Sequence, residues 1–134
     1  MFTYSFRWDI IATNLPFLMS GLQTTLIVSA LTLVLAMMGG LVLASLDMSR
    51  YWPLRAIGIG FGEIVRNTPI LVQLLWAYYV LPIVFGINLS AFAALVIGLS
   101  IYSSAFIGEV YRAGIQAVPK GHREAAQVLG MTPF

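Results

Sequence analysis

The stretch FLMSGLQTTLIVSALTLVLAMMGGLVLASL, residues 17–46, carries no charged side chain and decides the class of the fold. A helix of about 20 apolar residues crosses the hydrocarbon core of a bilayer, so this stretch can span it with tilt or extend beyond it. Ala36, Gly40 and Ala44 recur at helical spacing. A stripe of small residues lets two helices approach closely. We therefore predict a membrane-spanning helix that packs against another helix.

The composition of the whole chain agrees with a membrane protein. Of its 134 residues, 60% are hydrophobic and 9% are charged, whereas soluble domains carry about 25% charged residues. The net charge of +2 gives no indication of nucleic-acid binding, so we expect lipid and not nucleic acid as a partner. The absence of cysteine excludes disulfides, thiolate chemistry and cysteine-ligated metal.

Two further apolar segments predict two more spans, Ile57–Leu81 and Leu89–Arg112. A charged loop, Asp47–Arg55, precedes the second span, and an uncharged turn, Pro82–Asn88, follows it. Residues 1–16 mix aromatic and charged side chains, which is typical of a segment at the membrane interface, although a partly ordered tail explains them equally well. The predicted fold class is an all-α integral membrane protein with three transmembrane helices and a short cytoplasmic helix.

The distribution of basic residues predicts the orientation in the membrane. One side holds the first loop and the segment from the end of the third span onward: Arg50, Arg55, Arg112, Lys120 and Arg123. The other side holds Arg7 and an uncharged turn. Because cytoplasmic segments are enriched in lysine and arginine, we expect the first loop and the C-terminal segment in the cytoplasm and the N-terminus outside.

A polar cluster lies near the beginning of the second span: Glu63, Arg66, Asn67, Thr68, Pro69 and Gln73. Glu63 and Arg66 are three residues apart, so they share a helix face and can pair, and Gln73 lies on nearly the same face. Pro69 lacks an N–H and crowds the carbonyl of Val65, which predicts a kink or an opening of the helix.

Two interpretations of this cluster are equally supported by the residues. Ionisable groups inside a span are costly and usually face the bundle interior or a water-filled path, so the cluster can line or gate a transport pathway. Alternatively, Glu63 and Arg66 form a structural pair near the cytoplasmic interface, with the side chains reaching the headgroups and Pro69 only bending the helix.

The most polar part of the chain follows the third span. Pro119 and Gly121 are predicted to break the preceding helix, and His122–Leu129 then forms about two helical turns. Gly130 is placed to end this helix in a left-handed conformation, with Pro133 soon after as a stop.

The short helix has an acidic start and a small apolar face. Glu124 is expected in its first turn, where the helix dipole favours an anion. Ala125, Val128 and Leu129 fall at helical spacing and share one face. Because so short a helix is not stable alone in water, we expect it to lie on a partner surface.

Four stretches together resemble one family. Residues 124–130, Glu-Ala-Ala-Gln-Val-Leu-Gly preceded by Gly121, resemble the Glu-Ala-Ala loop of binding-protein-dependent ABC importer permeases. Residues 66–73 resemble the Arg-Gly-Thr-Pro-Leu-Leu-Val-Gln stretch of permeases for polar amino acids of the His/Glu/Gln/Arg/opine type, with Asn67 in place of glycine. Residues 21–26 and 108–115 resemble the start of the first span and the approach to the loop.

The resemblance implies a function, a location and a set of partners. It implies an ATP-driven amino acid importer in the bacterial inner membrane, whose partners are a separate ABC ATPase subunit, a periplasmic or extracellular substrate-binding protein, a second permease subunit (identical or sister) and a polar amino acid substrate. The short helix would dock on the ATPase through six residues: Gly121, Glu124, Ala125, Ala126, Leu129 and Gly130. Family members continue beyond the loop with two more spans. Residues 17–134 therefore resemble the N-terminal part of a type I ABC importer transmembrane domain, apparently truncated at the C-terminus.

The sequence also bears on functions other than transport. The chain has no glycine-rich phosphate loop with Gly-Lys-Ser/Thr, so we do not expect it to be its own ATPase or an enzyme. His122 is the sole histidine, so we expect no metal site and no cofactor. Three alternatives remain. They are a non-functional permease fragment, an intramembrane enzyme that uses Glu63 or Glu109 as acid or base, and a small membrane scaffold.

Overall fold

The computed structural model describes residues 8–131, and these form α-helices joined by short connections. In chain order the described elements are α1 (Trp8–Thr13), α2 (Leu15–Asp47), α3 (Trp52–Asn67), α4 (Ile70–Leu75), a π-helical turn (Trp76–Val80), α5 (Leu81–Phe85), α6 (Ala91–Gln116) and α7 (Lys120–Val128). The predicted interfacial segment, residues 1–16, lies partly outside the described residues. The predicted stop at Pro133 lies wholly outside them.

The core of the fold is a close crossing of α2 and α6. Ala36, Gly40 and Ala44 are buried, as the small-residue stripe predicts. A Cβ added to Gly40 would lie 2.8 Å from Ile107 Cγ2, and one added to Gly108 would lie 3.1 Å from the Gly40 carbonyl oxygen. The two backbones can approach this closely because neither glycine carries a side chain.

The two long helices run in the same direction. Gly39 lies against Ser104, and Gly40 and Ala44 lie against Gly108, so positions advance together along both helices. Two helices can be parallel in this way only if the chain between them returns to the starting side. The intervening helices α3, α4 and α5 provide that return.

The segment predicted as a single second span, Ile57–Leu81, is not one helix. α3 and the pair α4–α5 meet at an angle of 102°. α2 and α6 are each long and apolar enough to cross a membrane, and the bent pair, taken as one broken span, gives a third crossing. α3 also begins earlier than predicted, at Trp52, because Pro53 fits the first helical turn and does not end the loop.

The break lies at Thr68 and Pro69. Thr68 is extended, with φ −102° and ψ 126°, because the ring of a following proline disfavours the helical conformation. Pro69 then serves as the N-cap of α4, with ψ 136°. The predicted kink at Pro69 is therefore confirmed, and it is a full change of direction.

Other predicted boundaries also shift by a few residues. Pro82 lies in the first helical turn of α5 and not in the predicted non-helical connection. The helix ends at Gly86, whose φ is +66°. α6 begins after Ser90, whose hydroxyl accepts a hydrogen bond from the Ala93 N–H, and continues to Gln116, beyond the predicted Arg112.

The short C-terminal helix forms two residues earlier than predicted. α7 begins at Lys120 after Pro119 as its N-cap, so Gly121 lies inside the helix and does not break it. For the same reason Glu124 lies in the second turn, and its predicted place in the first turn is wrong. Proline suits a helix start because the N–H that it lacks would have no hydrogen-bond acceptor within the helix there.

The predicted helix end at Gly130 is confirmed. Gly130 has φ +81°, a conformation that residues with a Cβ rarely adopt. Its N–H donates to the Gln127 carbonyl at 3.0 Å, and the Met131 N–H donates to the Ala126 carbonyl at 3.0 Å. This pair of bonds is a Schellman motif, and it turns the chain away from the helix axis.

Candidate functional site

The predicted coupling residues lie on a helix that stands apart from the bundle. Within residues 8–131, α7 packs against no other helix. Val128 is 87% exposed and Leu129 is 81% exposed. Gly121, Glu124, Ala125 and Gly130 are exposed as well, and Ala126 is half-buried. The small apolar face predicted for this helix is therefore fully available to a partner.

The polar cluster at the end of α3 is held together by hydrogen bonds. Arg66 Nη2 donates to Glu63 Oε1 at 3.0 Å, which confirms the predicted pair. Asn67 Nδ2 donates to Glu63 Oε2 at 3.0 Å and to the Glu63 carbonyl at 2.8 Å. Glu63 is thus fixed from two directions, and its carboxylate has one positive and one neutral donor.

Arg66 also joins α3 to α6. Its Nη1 donates to the Ala105 carbonyl at 3.3 Å and lies 3.5 Å from Glu109 Oε2. The other oxygen of Glu109 accepts a hydrogen bond from Arg112 Nη2. Arg66 is half-buried, so its guanidinium acts as a bridge between two carboxylates on two helices.

Gln73 does not share a face with Arg66, contrary to the prediction, because the helix breaks between them. Its Nε2 instead donates to the Val65 carbonyl at 2.8 Å and to the Thr68 carbonyl at 3.0 Å. Pro69 deprives the Val65 carbonyl of its helical donor. The Val65 carbonyl also accepts a long bond from the Thr68 N–H, at 3.4 Å, so Gln73 adds a shorter bond to the backbone at the break.

The bend between α3 and α4 is called the elbow here. An apolar groove runs along its inside, between α3, α4 and α6. It has a volume of about 510 Å³ and is lined by Phe61, Ile64, Val65, Thr68, Val72, Gln73, Trp76, Ala77, Leu81, Ile97, Gly98 and Ile101. Of the six predicted pathway residues, Thr68 and Gln73 line the groove. Glu63, Arg66 and Asn67 belong instead to the ion-pair cluster beside it.

Comparison with known proteins identifies the family. Residues 36–134 match the family described as "Binding-protein-dependent transport system inner membrane component". The chain belongs to this family.

Named members of the family show the same relationship. The chain is 35% identical over 118 residues to "Arginine transport system permease protein ArtQ" of Bacillus subtilis (strain 168), covering 88% of this chain and 54% of ArtQ. It is 33% identical over 128 residues to "Glutamine transport system permease protein GlnP" of Escherichia coli (strain K12), covering 95% of this chain and 58% of GlnP. The chain thus spans little more than half the length of these relatives.

A solved structure shares the fold. One chain of the "Crystal structure of an amino acid ABC transporter with histidines" superimposes with a TM-score of 0.88 at 40% sequence identity. The match covers 96% of this chain and 60% of that chain. The recognition of an amino acid ABC permease and the all-α membrane fold are therefore confirmed.

For this family member, sequence reasoning missed three residues of the charged cluster. The sequence places Arg112 among the cytoplasmic basic residues, Glu109 only as an alternative acid or base of an enzyme, and Asp47 only as the start of a loop. The i, i+3 spacing of Glu109 and Arg112 is the signal that could have found their pair. Their proximity to Arg66 depends on the packing of α3 against α6, which no local pattern encodes.

The structure also bears on the other chemistries considered. Across residues 8–131, no three His, Cys, Asp or Glu side chains come together as a metal site would require. Glu63 and Glu109, the two carboxylates of the enzyme alternative, are each paired with arginine.

Proposed function

We propose that this chain is part of the permease of an ATP-driven importer of polar amino acids, and that α7 couples it to a separate ATPase subunit. The family description supports an inner membrane component that works with a substrate-binding protein. The names of ArtQ and GlnP, which refer to arginine and glutamine, support a polar amino acid as the substrate class.

The observation that carries the proposal is the exposure of α7. A nine-residue helix is too short to be stable alone, yet it is held clear of the other described helices with Val128 and Leu129 exposed. Burying each of these side chains would contribute about 1.5–3 kcal/mol. A groove on an ATPase surface is the partner that the family resemblance implies for this helix.

Each of the predicted coupling residues has a place in this arrangement. Ala125 and Ala126 add little bulk, so the helix can approach the ATPase closely, and Leu129 adds apolar contact. Glu124 is exposed in the second turn and is available to a basic side chain of the ATPase. Gly121 and Gly130 allow close approach at the start of the helix and a turn at its end.

The translocation pathway is proposed to pass the inside of the elbow. Thr68 and Gln73 line the groove there, and Pro69 creates the bend that opens it. Arg66 holds the end of α3 against α6, and Glu63, which bonds Arg66 and Asn67, orders this end of α3 beside the groove. A second permease subunit, identical or sister, would close the pathway from the other side.

The same proposal includes an orientation across the bacterial inner membrane. Two parallel helices joined by a returning segment cross the bilayer three times, which places the ends of α2 and α6 on the same side. The basic residues beyond those ends favour the cytoplasm, where α7 would meet the ATPase, and leave the N-terminus outside.

The test of coupling is Gly130→Val in the transporter assembled from all its subunits. At φ +81° a β-branched side chain is strained, so the helix end should unwind and the docking face should be lost. We expect normal membrane insertion, weaker co-purification of the ATPase and abolished ATP-driven uptake.

Gly114→Val is the matched control, because Gly114 lies in α6 with ordinary helical geometry and open space around it. It should insert, bind the ATPase and transport at near wild-type rates. Undiminished ATPase binding and uptake by Gly130→Val would contradict the coupling role of α7.

A further inference from the structure

At the end of α2, the carboxylate of Asp47 is partly enclosed by the bundle. Its Oδ1 is shielded from solvent and accepts no hydrogen bond from any residue between 8 and 131. A buried carboxylate oxygen without a donor is costly, and native structures almost always supply one. Asp47 Oδ1 therefore lacks, among the described residues, the donor that such an oxygen ordinarily has.

A complementary group lies on α6. Arg112 Nε is also shielded and donates to no acceptor in the described part of the chain, while its Nη2 donates to Glu109. Arg112 is one of the cations near Asp47, together with Arg66 and Arg55. Ala44 of α2 lies against Gly108 of α6, and Asp47 and Arg112 follow these two residues by about one helical turn. One unpaired acceptor and one unpaired donor of opposite charge thus lie at the same end of the α2–α6 junction.

The packing of α3 closes this junction. A Cβ at Gly58 would lie 2.9 Å from Leu46 Cβ and would run into Asp47 Oδ1. The absence of a side chain at Gly58 lets the backbone of α3 cover the carboxylate and keep water from it. In a partly enclosed place the Coulombic attraction between opposite charges is stronger than on an exposed surface, and a charge left without its partner is costlier.

We propose that Asp47 is a positioning residue, which pairs with Arg112 and ties the end of α2 to the part of α6 that leads into α7. Arg112 then has two acceptors, Glu109 on its own helix and Asp47 on α2. When Arg112 turns to Asp47, Glu109 keeps Arg66 as its partner. Ion pairs then join α2, α3 and α6 at one end of the bundle.

This link would carry motion from α7 into the bundle, a role that rests on the proposed function. α7 touches no other helix in the described structure, so a displacement of α7 reaches the bundle through α6. Arg112 is the last charged residue before α6 ends at Gln116. Its bond to Asp47 would make α2 follow α6.

A double-mutant cycle on the purified full chain tests the pair without any transport assay. Asp47→Asn and Arg112→Gln should each lower Tm by several degrees, and the double variant should lose clearly less than the sum of the two losses. Arg112→Gln with Glu109→Gln is the positive control, because that pair is bonded in the structure. Asp47→Asn with Arg55→Gln is the negative control, because Arg55 is exposed. If the Tm losses of Asp47→Asn and Arg112→Gln add as fully as those of the negative-control variants, the proposed ion pair is wrong.

The transmission role is tested in the assembled transporter in proteoliposomes. Asp47→Asn should keep basal ATP hydrolysis and ATPase binding but reduce, by several-fold, the stimulation by substrate-loaded binding protein. A merely structural role would lower basal and stimulated rates together, and that result would overturn transmission. A coupled cycle combined with normal uptake by Gly130→Val would keep the ion pair and reject the proposed coupling role of α7. An additive cycle combined with lost uptake in Gly130→Val would reject the ion pair and keep the coupling role of α7.

Discussion

At Arg66, a single guanidinium serves two helices. It bonds Glu63 on α3 and the Ala105 carbonyl on α6, and it lies 3.5 Å from Glu109. Removing one partner of a partly buried charge network leaves the other charges uncompensated, which costs more than the loss of an exposed ion pair. Arg50, by contrast, is exposed in the connection between α2 and α3.

We expect Arg66→Ala to reduce transport much more than Arg50→Ala in the assembled importer. Loss of the Arg66 bridge frees the end of α3 from α6 and distorts the groove, whereas Arg50 contributes mainly to membrane orientation. Uptake of radiolabelled amino acid at matched membrane levels measures the difference. Equal effects of the two substitutions would show that Arg66 is only an interfacial charge.

At the scale of elements, the crossing of α2 and α6 and the elbow between α3 and α4 position everything else. Both depend on residues with unusual backbones, glycine in the crossing and proline in the elbow. The crossing leaves no room for a side chain at Gly40, whereas Gly21, on the same helix, has nothing within 4 Å of an added Cβ. These two glycines separate the effect of packing from the effect of helix propensity.

Gly40→Val should therefore destabilise the chain by about 1–3 kcal/mol, the usual cost of overpacking a tight interface. Gly21→Val, the matched control, changes the same residue type in the same helix and should leave Tm almost unchanged. Thermal unfolding of the two variants in detergent compares them directly. A similar loss of Tm in both would mean that the crossing is not tightly packed.

At the scale of the whole molecule, the parallel course of α2 and α6 constrains the topology. The chain must return between them, and it does so through α3 and the α4–α5 arm at 102°. Leu74 lies against Gly98, and Tyr78 and Tyr79 share a cleft with Ala91 and Ala94, so this arm runs antiparallel to α6. The turn before α6 and helix α7 thus lie at opposite ends of the bundle.

Cysteine labelling tests the proposed orientation, because the chain has no cysteine of its own. A cysteine introduced by Gln127→Cys in α7 should resist membrane-impermeant thiol reagents in intact cells and react after permeabilisation. Asn88→Cys, in the exposed turn before α6, should react in intact cells and serves as the positive control. The opposite labelling pattern would invert the orientation.

Part of the candidate site could be predicted from local spacing. The pair Glu63–Arg66, the bend at Pro69 and the left-handed Gly130 each depend on neighbouring residues and on steric rules that hold in any context. The positions of Gln73 and Glu124 could not be predicted in the same way. Gln73 depends on the direction of the chain after the break, and Glu124 depends on where the preceding helix stops.

The sequence by itself determined the membrane class, the three apolar segments, the small-residue stripes and the motif of the short C-terminal helix. Composition and spacing suffice for these because a segment that crosses lipid must be long and apolar, and because caps and kinks are local. Only the tertiary structure decided that the second segment bends by 102°, that Arg66 of α3 reaches Glu109 of α6, and that Asp47 and Arg112 each keep an unpaired buried atom. These features depend on how closely glycine-lined helices pack, and that distance is set by contacts between residues far apart in the chain.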